Sequence, residues 1–268
     1  MSAPAVSRLT RLFLDAGRPL LMPYAVGGYP DPGSCLEILR IYREGGADLI
    51  EIGIPFSDPL ADGPVIQGAS QAALRRGVRP VDVLDVAATA AGEGARVVLL
   101  SYLNTILAFG PERFFERCGE GGVLGVVVPD LPVEEAAGLQ TAARARNVDV
   151  ILLAAPTSTD ARLARIAAAA SGFIYCVSTT GVTGARASLR ADLPEFVARI
   201  RRHTDLPLAV GFGVSTPEQA EEVTGFADGV IIGSALVDVV ARNERLEEAL
   251  AEIGRILYRV RRMPSLSK

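Results

Sequence analysis

Lysine, histidine and tryptophan are almost missing from this chain. Its 268 residues hold one histidine, His203, no tryptophan and a single lysine, Lys268, so the remaining cations are arginines. Each scarcity excludes chemistry. A Schiff-base enzyme needs a lysine amine in its pocket, and a lone lysine on a polar terminal stretch is a poor candidate. A catalytic metal held by histidines normally takes two or three. A Ser-His-Asp triad would have to use His203, which closes the helical stretch RIRRHTD at a surface position. Proton transfer therefore falls to Asp, Glu, Tyr and Cys. Cys35, Cys118 and Cys176 are scattered and form no CxxC pair, which argues against a disulfide framework and a zinc site. A net charge of −4 argues against nucleic acid as the main partner. No apolar run reaches the ~18 residues of a membrane span. Arg8, Arg11 and Asp15 interrupt any signal-peptide core, so the N-terminus reads as a short amphipathic helix of a cytoplasmic protein.

What is present is apolar: 49% of the residues are hydrophobic, which permits a large core and excludes general disorder. Nearly continuous Val/Ile/Leu runs fall at 20–26, 48–54, 96–102, 124–129, 149–154, 173–178, 206–212 and 228–233. Such runs fit parallel strands covered on both faces. Helical patterns separate them, at 33–45, 80–92, 111–120, 133–146, 159–170, 192–203, 215–224 and 234–242, and a last one covers 244–262. The alternation predicts one (β/α)8 barrel domain over 1–268, with an extra N-terminal helix. A doubly wound sheet is the alternative, but the first turn, VGGYPDPG, lacks its glycine fingerprint. The connection after the second strand is the longest and reads as an extended βα loop from Pro55 onward. In such barrels the βα loops carry the active site.

Glu51 sits inside the apolar run DLIEIGIPF. Alternation puts Ile50, Ile52 and Ile54 on the helix-facing side and turns Glu51 into the barrel. Desolvation there would raise its pKa toward neutrality and suit it to acid–base work; a structural carboxylate bonded to Tyr or backbone donors is the other reading. Asp58 and Asp62 lie in the long loop, where each could serve a turn or a site. Glycines recur after the last three strands: GVTGA (181–185), GFG (211–213) and GS (233–234). Backbone amides and a helix N-terminus there would bind a phosphate, with Ser234 as the helix cap; taken singly, the glycines need only close turns. Tyr102 and Tyr175 could line a pocket or pack the core.

The stretch EIGIPFSDPLADGPVIQ (51–67) resembles the signature of the tryptophan synthase α subunit family. The similarity continues through PYAVGGYPD, LLSYLNTILAFG, VVVPDLPVEEA, APTSTDARL, FIYCVSTTGVTGAR and VGFGVSTPEQ, in the family's order. The resemblance implies cleavage of indole-3-glycerol phosphate to indole and glyceraldehyde 3-phosphate, a retro-aldol with no cofactor and no metal. It assigns the general acid–base to Glu51 and the carboxylate that holds the indole N–H to Asp62. It places phosphate binding at Gly184, Gly213, Gly233 and Ser234, with Thr183 and Gly184 on a lid spanning 178–190. Leu100, Tyr102, Tyr175 and Phe212 become indole walls. Asp58 becomes the link to a β subunit that carries pyridoxal phosphate, in an αββα heterotetramer. A stand-alone lyase without that partner is the alternative. The chain departs from the family's usual pattern at VGGYPD, at Thr105 and at the STT before the lid.

Overall fold

A computed structural model describes residues 6–178, 190–211 and 213–262. Eight parallel strands close into a barrel in sequence order: β1 (Leu20–Val26), β2 (Ile50–Gly53), β3 (Val97–Leu100), β4 (Gly125–Val127), β5 (Asp149–Ala154), β6 (Ile174–Val177), β7 (Leu208–Gly211) and β8 (Gly229–Ile232). β8 pairs back onto β1, from Leu20↔Gly229 to Pro23↔Ile232. Outside lie α1 (Arg8–Ala16), α2 (Pro32–Glu44), α3 (Pro64–Arg75), α4 (Pro80–Gly92), α5 (Leu103–Phe109), α6 (Pro111–Glu120), α7 (Ala136–Arg144), α8 (Asp160–Ala169), α9 (Leu193–Arg201), α10 (Pro217–Thr224), α11 (Ser234–Arg242) and α12 (Leu246–Arg262). This is the (β/α)8 barrel that the alternating pattern predicts. Among the described residues no helix is long and apolar enough to cross a membrane.

Period-two alternation divides the apolar residues into two cores. Ile50, Ile52, Val97, Leu99, Val150 and Leu152 face outward and pack with the helix ring. Leu20, Met22, Tyr24, Val98, Leu100 and Tyr175 face inward and fill the barrel. Each fully buried aliphatic side chain contributes roughly 1.5–3 kcal/mol, so both faces of every strand hold it in place. Two inward glycines make room for inward rings. A Cβ at Gly53 would overlap the Tyr24 hydroxyl, and one at Gly211 would overlap that of Tyr175. Each tyrosine therefore lies across the glycine of the next strand.

The expected N-terminal helix is α1, and it plugs the N-terminal end of the barrel. Ser7 caps it, accepting from the Thr10 amide at 3.1 Å, and its Leu9 and Phe13 join the inner core. The Phe13 ring lies 5.3 Å from that of Phe173, and the Thr10 hydroxyl donates to the Gly172 carbonyl at 2.8 Å. Around this end the strands are tied by carboxylates. Asp48 accepts two bonds from Arg18, at 2.9 and 2.7 Å, and one from the Leu21 amide at 2.9 Å, linking the starts of β1 and β2. Asp228 pairs with Arg201 and accepts from the Leu208 amide at 2.9 Å, linking β7 and β8 in the same way.

Two elements differ from the sequence reading. The connection after β2 is not one extended loop: its second half is α3, which starts at Pro64 in the favoured first position and buries Ile66, Ala69, Ser70 and Ala73 at helical spacing. Between β3 and α6 lies the short helix α5, whose first amide, Leu103, donates to the Asp130 carboxylate at 2.8 Å.

Candidate active site

β2 carries the first functional side chain. Glu51 pairs in register with Tyr24 on β1 and Val98 on β3, both inward residues, and so points into the barrel. It is 1% exposed, and its Oε1 has no hydrogen-bond partner among the described residues. A buried carboxylate without a cation or donor is costly when charged. Burial, reinforced by the negative charge of Asp62, pushes the Glu51 carboxyl up to about 8. It therefore holds its proton at neutral pH.

Asp62 comes from the loop between β2 and α3, which folds back over the barrel mouth. The Tyr102 ring anchors this loop. Its hydroxyl hydrogen-bonds the Asp62 carboxylate and accepts from the Ala61 amide at 3.1 Å, while Phe56 stacks on it at 5.1 Å. Gln67, one turn into α3, donates to the Asp62 carbonyl at 2.8 Å. Asp62 is thereby buried to 5% exposure, and burial raises its carboxyl to about 6, with the Tyr102 bond opposing. The two carboxyls are thus unequal at neutral pH: Glu51 is protonated and Asp62 charged. Carboxyls whose environments hold them in different protonation states are suited to separate acid and charge-stabilising roles.

Both carboxylates open on one cavity at the mouth of the barrel. Tyr24, Leu100, Tyr175, Ile66 and Ile231 give it apolar walls. Its other rim is formed by Gly213, Gly233 and Ser234. Gly213 has φ +90°, which disfavours a side chain there. Here the structure corrects one expectation. Ser234 does not cap α11 but is its first helical residue; Gly233 stands at the cap position and the helix has no side-chain cap. α10 is the contrast, with a proline in its first turn and a full capping box between Thr216 and Gln219. The start of α11 therefore leaves backbone N–H groups facing the cavity, the arrangement that binds anions.

Of the predicted residues, the structure brings together Glu51, Asp62, Leu100, Tyr175, Gly213, Gly233 and Ser234. Tyr102 stands behind Asp62 and acts on it. Asp58 lies apart, exposed in the loop beside the Ser57 hydroxyl. Thr183, Gly184 and Phe212 lie outside the described residues, as does most of the 178–190 segment. Sequence reasoning missed Tyr24, Ile66 and Ile231. Tyr24 carried a signal, because it alternates inward on the strand beside Glu51; Ile66 was lost with α3.

The chain matches the family described as "Tryptophan synthase alpha chain" over residues 12–263. A tryptophan synthase alpha chain of Gloeobacter violaceus is 48% identical over 264 residues, covering 96% of this chain and 95% of the relative. One from Dehalococcoides mccartyi is 46% identical over 252 residues, covering 94% and 98%. Among solved structures, Mycobacterium tuberculosis tryptophan synthase superposes with a TM-score of 0.88 at 39% identity, covering 96% of this chain and 99% of that one. A buried acid on β2, a loop carboxylate above it and an uncapped helix after β8 thus sit in a chain similar over nearly its full length to these proteins, and the chain belongs to the tryptophan synthase alpha chain family.

Proposed function

We propose that the chain is the lyase subunit of tryptophan biosynthesis and cleaves indole-3-glycerol phosphate to indole and glyceraldehyde 3-phosphate. The observation that carries this reading is Glu51, buried in the barrel with one oxygen unpartnered among the described residues and sharing one cavity with Asp62. Glu51 gives its proton to indole C3, and the ring becomes a cation. Asp62 accepts a hydrogen bond from the ring N–H and stabilises that charge. The Glu51 carboxylate then takes the proton of the adjacent glycerol hydroxyl. The C–C bond breaks, its electron pair returns to the ring, and the hydroxyl carbon becomes the aldehyde. The first proton stays on C3 of the released indole and the hydroxyl proton restores the Glu51 acid, while the protonated ring serves as the electron sink that a lysine imine or metal would otherwise supply. The phosphate lies on the amides at Gly213 and Gly233 and on Ser234, and the family resemblance adds Gly184 and Thr183 to that group. Leu100 and Tyr175 line the cavity that takes the indole, with Tyr102 behind Asp62, and the family resemblance adds Phe212.

The partner is a tryptophan synthase β subunit in an αββα assembly in the cytoplasm, and Asp58, on the exposed loop that also carries Asp62, is the coupling residue. The deciding experiment follows indole release from indole-3-glycerol phosphate by the parent and by Glu51→Gln. Indole formation by the parent, lost in the variant, is the expected result; equal rates overturn the reading. Adding a β subunit raises the rate if the partner assignment is right and leaves it unchanged if the chain works alone.

A further inference from the structure

The unpaired oxygen of Glu51 raises a question of geometry. A group that gives up a proton and retakes it must pass through a carboxylate, and that carboxylate needs a donor if it is to stay aimed at the substrate. We propose that Tyr24 is a positioning residue for Glu51: its hydroxyl donates a hydrogen bond to the Glu51 carboxylate whenever that carboxylate is charged. This inference rests on the assignment of Glu51 as the proton-transferring group.

Three observations lead to Tyr24. In the barrel, Glu51 has one register neighbour on each side: Val98 on β3, which has nothing to donate, and Tyr24 on β1, which has a hydroxyl. The Tyr24 ring leans toward β2 rather than away from it. Its hydroxyl occupies the space over Gly53, the next inward position beyond Glu51, and only the missing Cβ at Gly53 admits it there. Finally, Tyr24 lines the same cavity as Glu51 and is 5% exposed, so bulk water does not compete for its hydroxyl.

The other groups facing Glu51 do not take this role. Asp62, from the loop, is an acceptor with the same sign of charge. Tyr102, from β3, is committed to Asp62 and the Ala61 amide. Tyr175 faces Glu51 from β6 across the barrel and feels its charge, but its hydroxyl is seated over Gly211 of β7 rather than over β2. Tyr175→Phe is therefore the control, and a Glu51 midpoint that moves there and not in Tyr24→Phe overturns the proposal. Burial and the charges of Asp62 and Glu51 hold the Tyr24 hydroxyl well above its ordinary pKa, so it remains a donor throughout the working pH range.

Tyr24→Phe deletes the hydroxyl and keeps the ring that packs the core. Glu51 is followed in the resting protein by NMR of carboxyl-¹³C glutamate, its resonance being the one missing from Glu51→Gln. A donor to the charged form lowers a carboxyl's pKa, so its loss raises the Glu51 midpoint, by about one pH unit. The alkaline limb of kcat for indole release moves up with it, while KM changes less than about twofold. An unchanged or lowered midpoint in the folded variant overturns the proposal, as does an effect on KM alone. A parent that releases no indole defeats the functional reading instead, and the NMR shift still decides whether the hydrogen bond exists.

Discussion

The two ends of this barrel treat their carboxylates in opposite ways, half-buried and paired at one end, buried and unpaired with any described cation at the other. At the N-terminal end, Asp48 receives Arg18, Arg261 and a strand amide, and Asp228 receives Arg201 and a strand amide. At the C-terminal end, among the described residues, Glu51 has an oxygen with no partner, and Asp62 has a tyrosine hydroxyl but no cation. The satisfied carboxylates fasten neighbouring strands together. The unsatisfied ones hold protons at pH values where a solvated carboxylate would not. The same residue type thus supports stability at one end and reactivity at the other, a division found across barrels of this class. The test of this contrast is whether substitutions at the two ends separate activity from stability.

The largest expected effect is at Glu51. Glu51→Gln preserves shape and removes the exchangeable proton, so kcat for indole release falls by ~10²–10⁴-fold, while thermal unfolding shows no loss of stability. A variant that unfolds more readily than the parent would place Glu51 with the structural carboxylates. Asp62→Asn follows, with a fall of ~10²–10³-fold from lost stabilisation of the ring cation. Circular dichroism should show the fold intact, and normal turnover would remove Asp62 from the chemistry.

The pH dependence of stability sharpens the contrast further. The folded Glu51 carboxyl releases its proton near 8, against 4.5 for a solvated one, and Asp62 releases near 6, against 3.8. Between those limits the folded protein binds protons that the unfolded chain has lost, so these two groups make stability fall as pH rises through the window. Urea midpoints from pH 5 to 8 should therefore decline more steeply for the parent than for Glu51→Gln. Parallel curves would show that the buried carboxyl does not titrate as its surroundings require.

Much of this was legible in the sequence, for physical reasons that differ from part to part. The barrel was readable because strands buried on both faces must be apolar throughout, and eight such runs alternated with helical spacing. Glu51 was readable for the same reason: a carboxylate in such a run is an exception. α3 was not, because the turn residues of DPLADGP dominate the segment and Gly68 dilutes a helical pattern that Ile66, Ala69 and Ala73 nonetheless carry. Tyr24 stood unremarked in the apolar run 20–26; its inward alternation was visible there, and the β1–β2 register pairs it with Glu51. The Asp48 and Asp228 ties were hidden by distance along the chain, since each joins an arginine 27 or more residues away.

Those ties supply the smallest and complementary effect. Asp48 is the more informative of the two because it is well covered, at 13% side-chain exposure, while Arg18 keeps 34%. Asp48→Ala takes this acceptor from the Leu21 amide and from the guanidinium groups of Arg18 and Arg261. The guanidinium groups can turn to water, which limits the loss from the ion pairs. The amide sits at the start of a central strand and has no such recourse. The expected cost is ~1–3 kcal/mol, dominated by the stranded donor rather than by charge, and it appears as a melting temperature lower by several degrees. Because the barrel's far end is untouched, kcat at a temperature below the transition should match the parent. A variant with unchanged melting and reduced turnover would reverse the assignment of the two ends, and would mean that the N-terminal carboxylates act on the cavity through the strands they join.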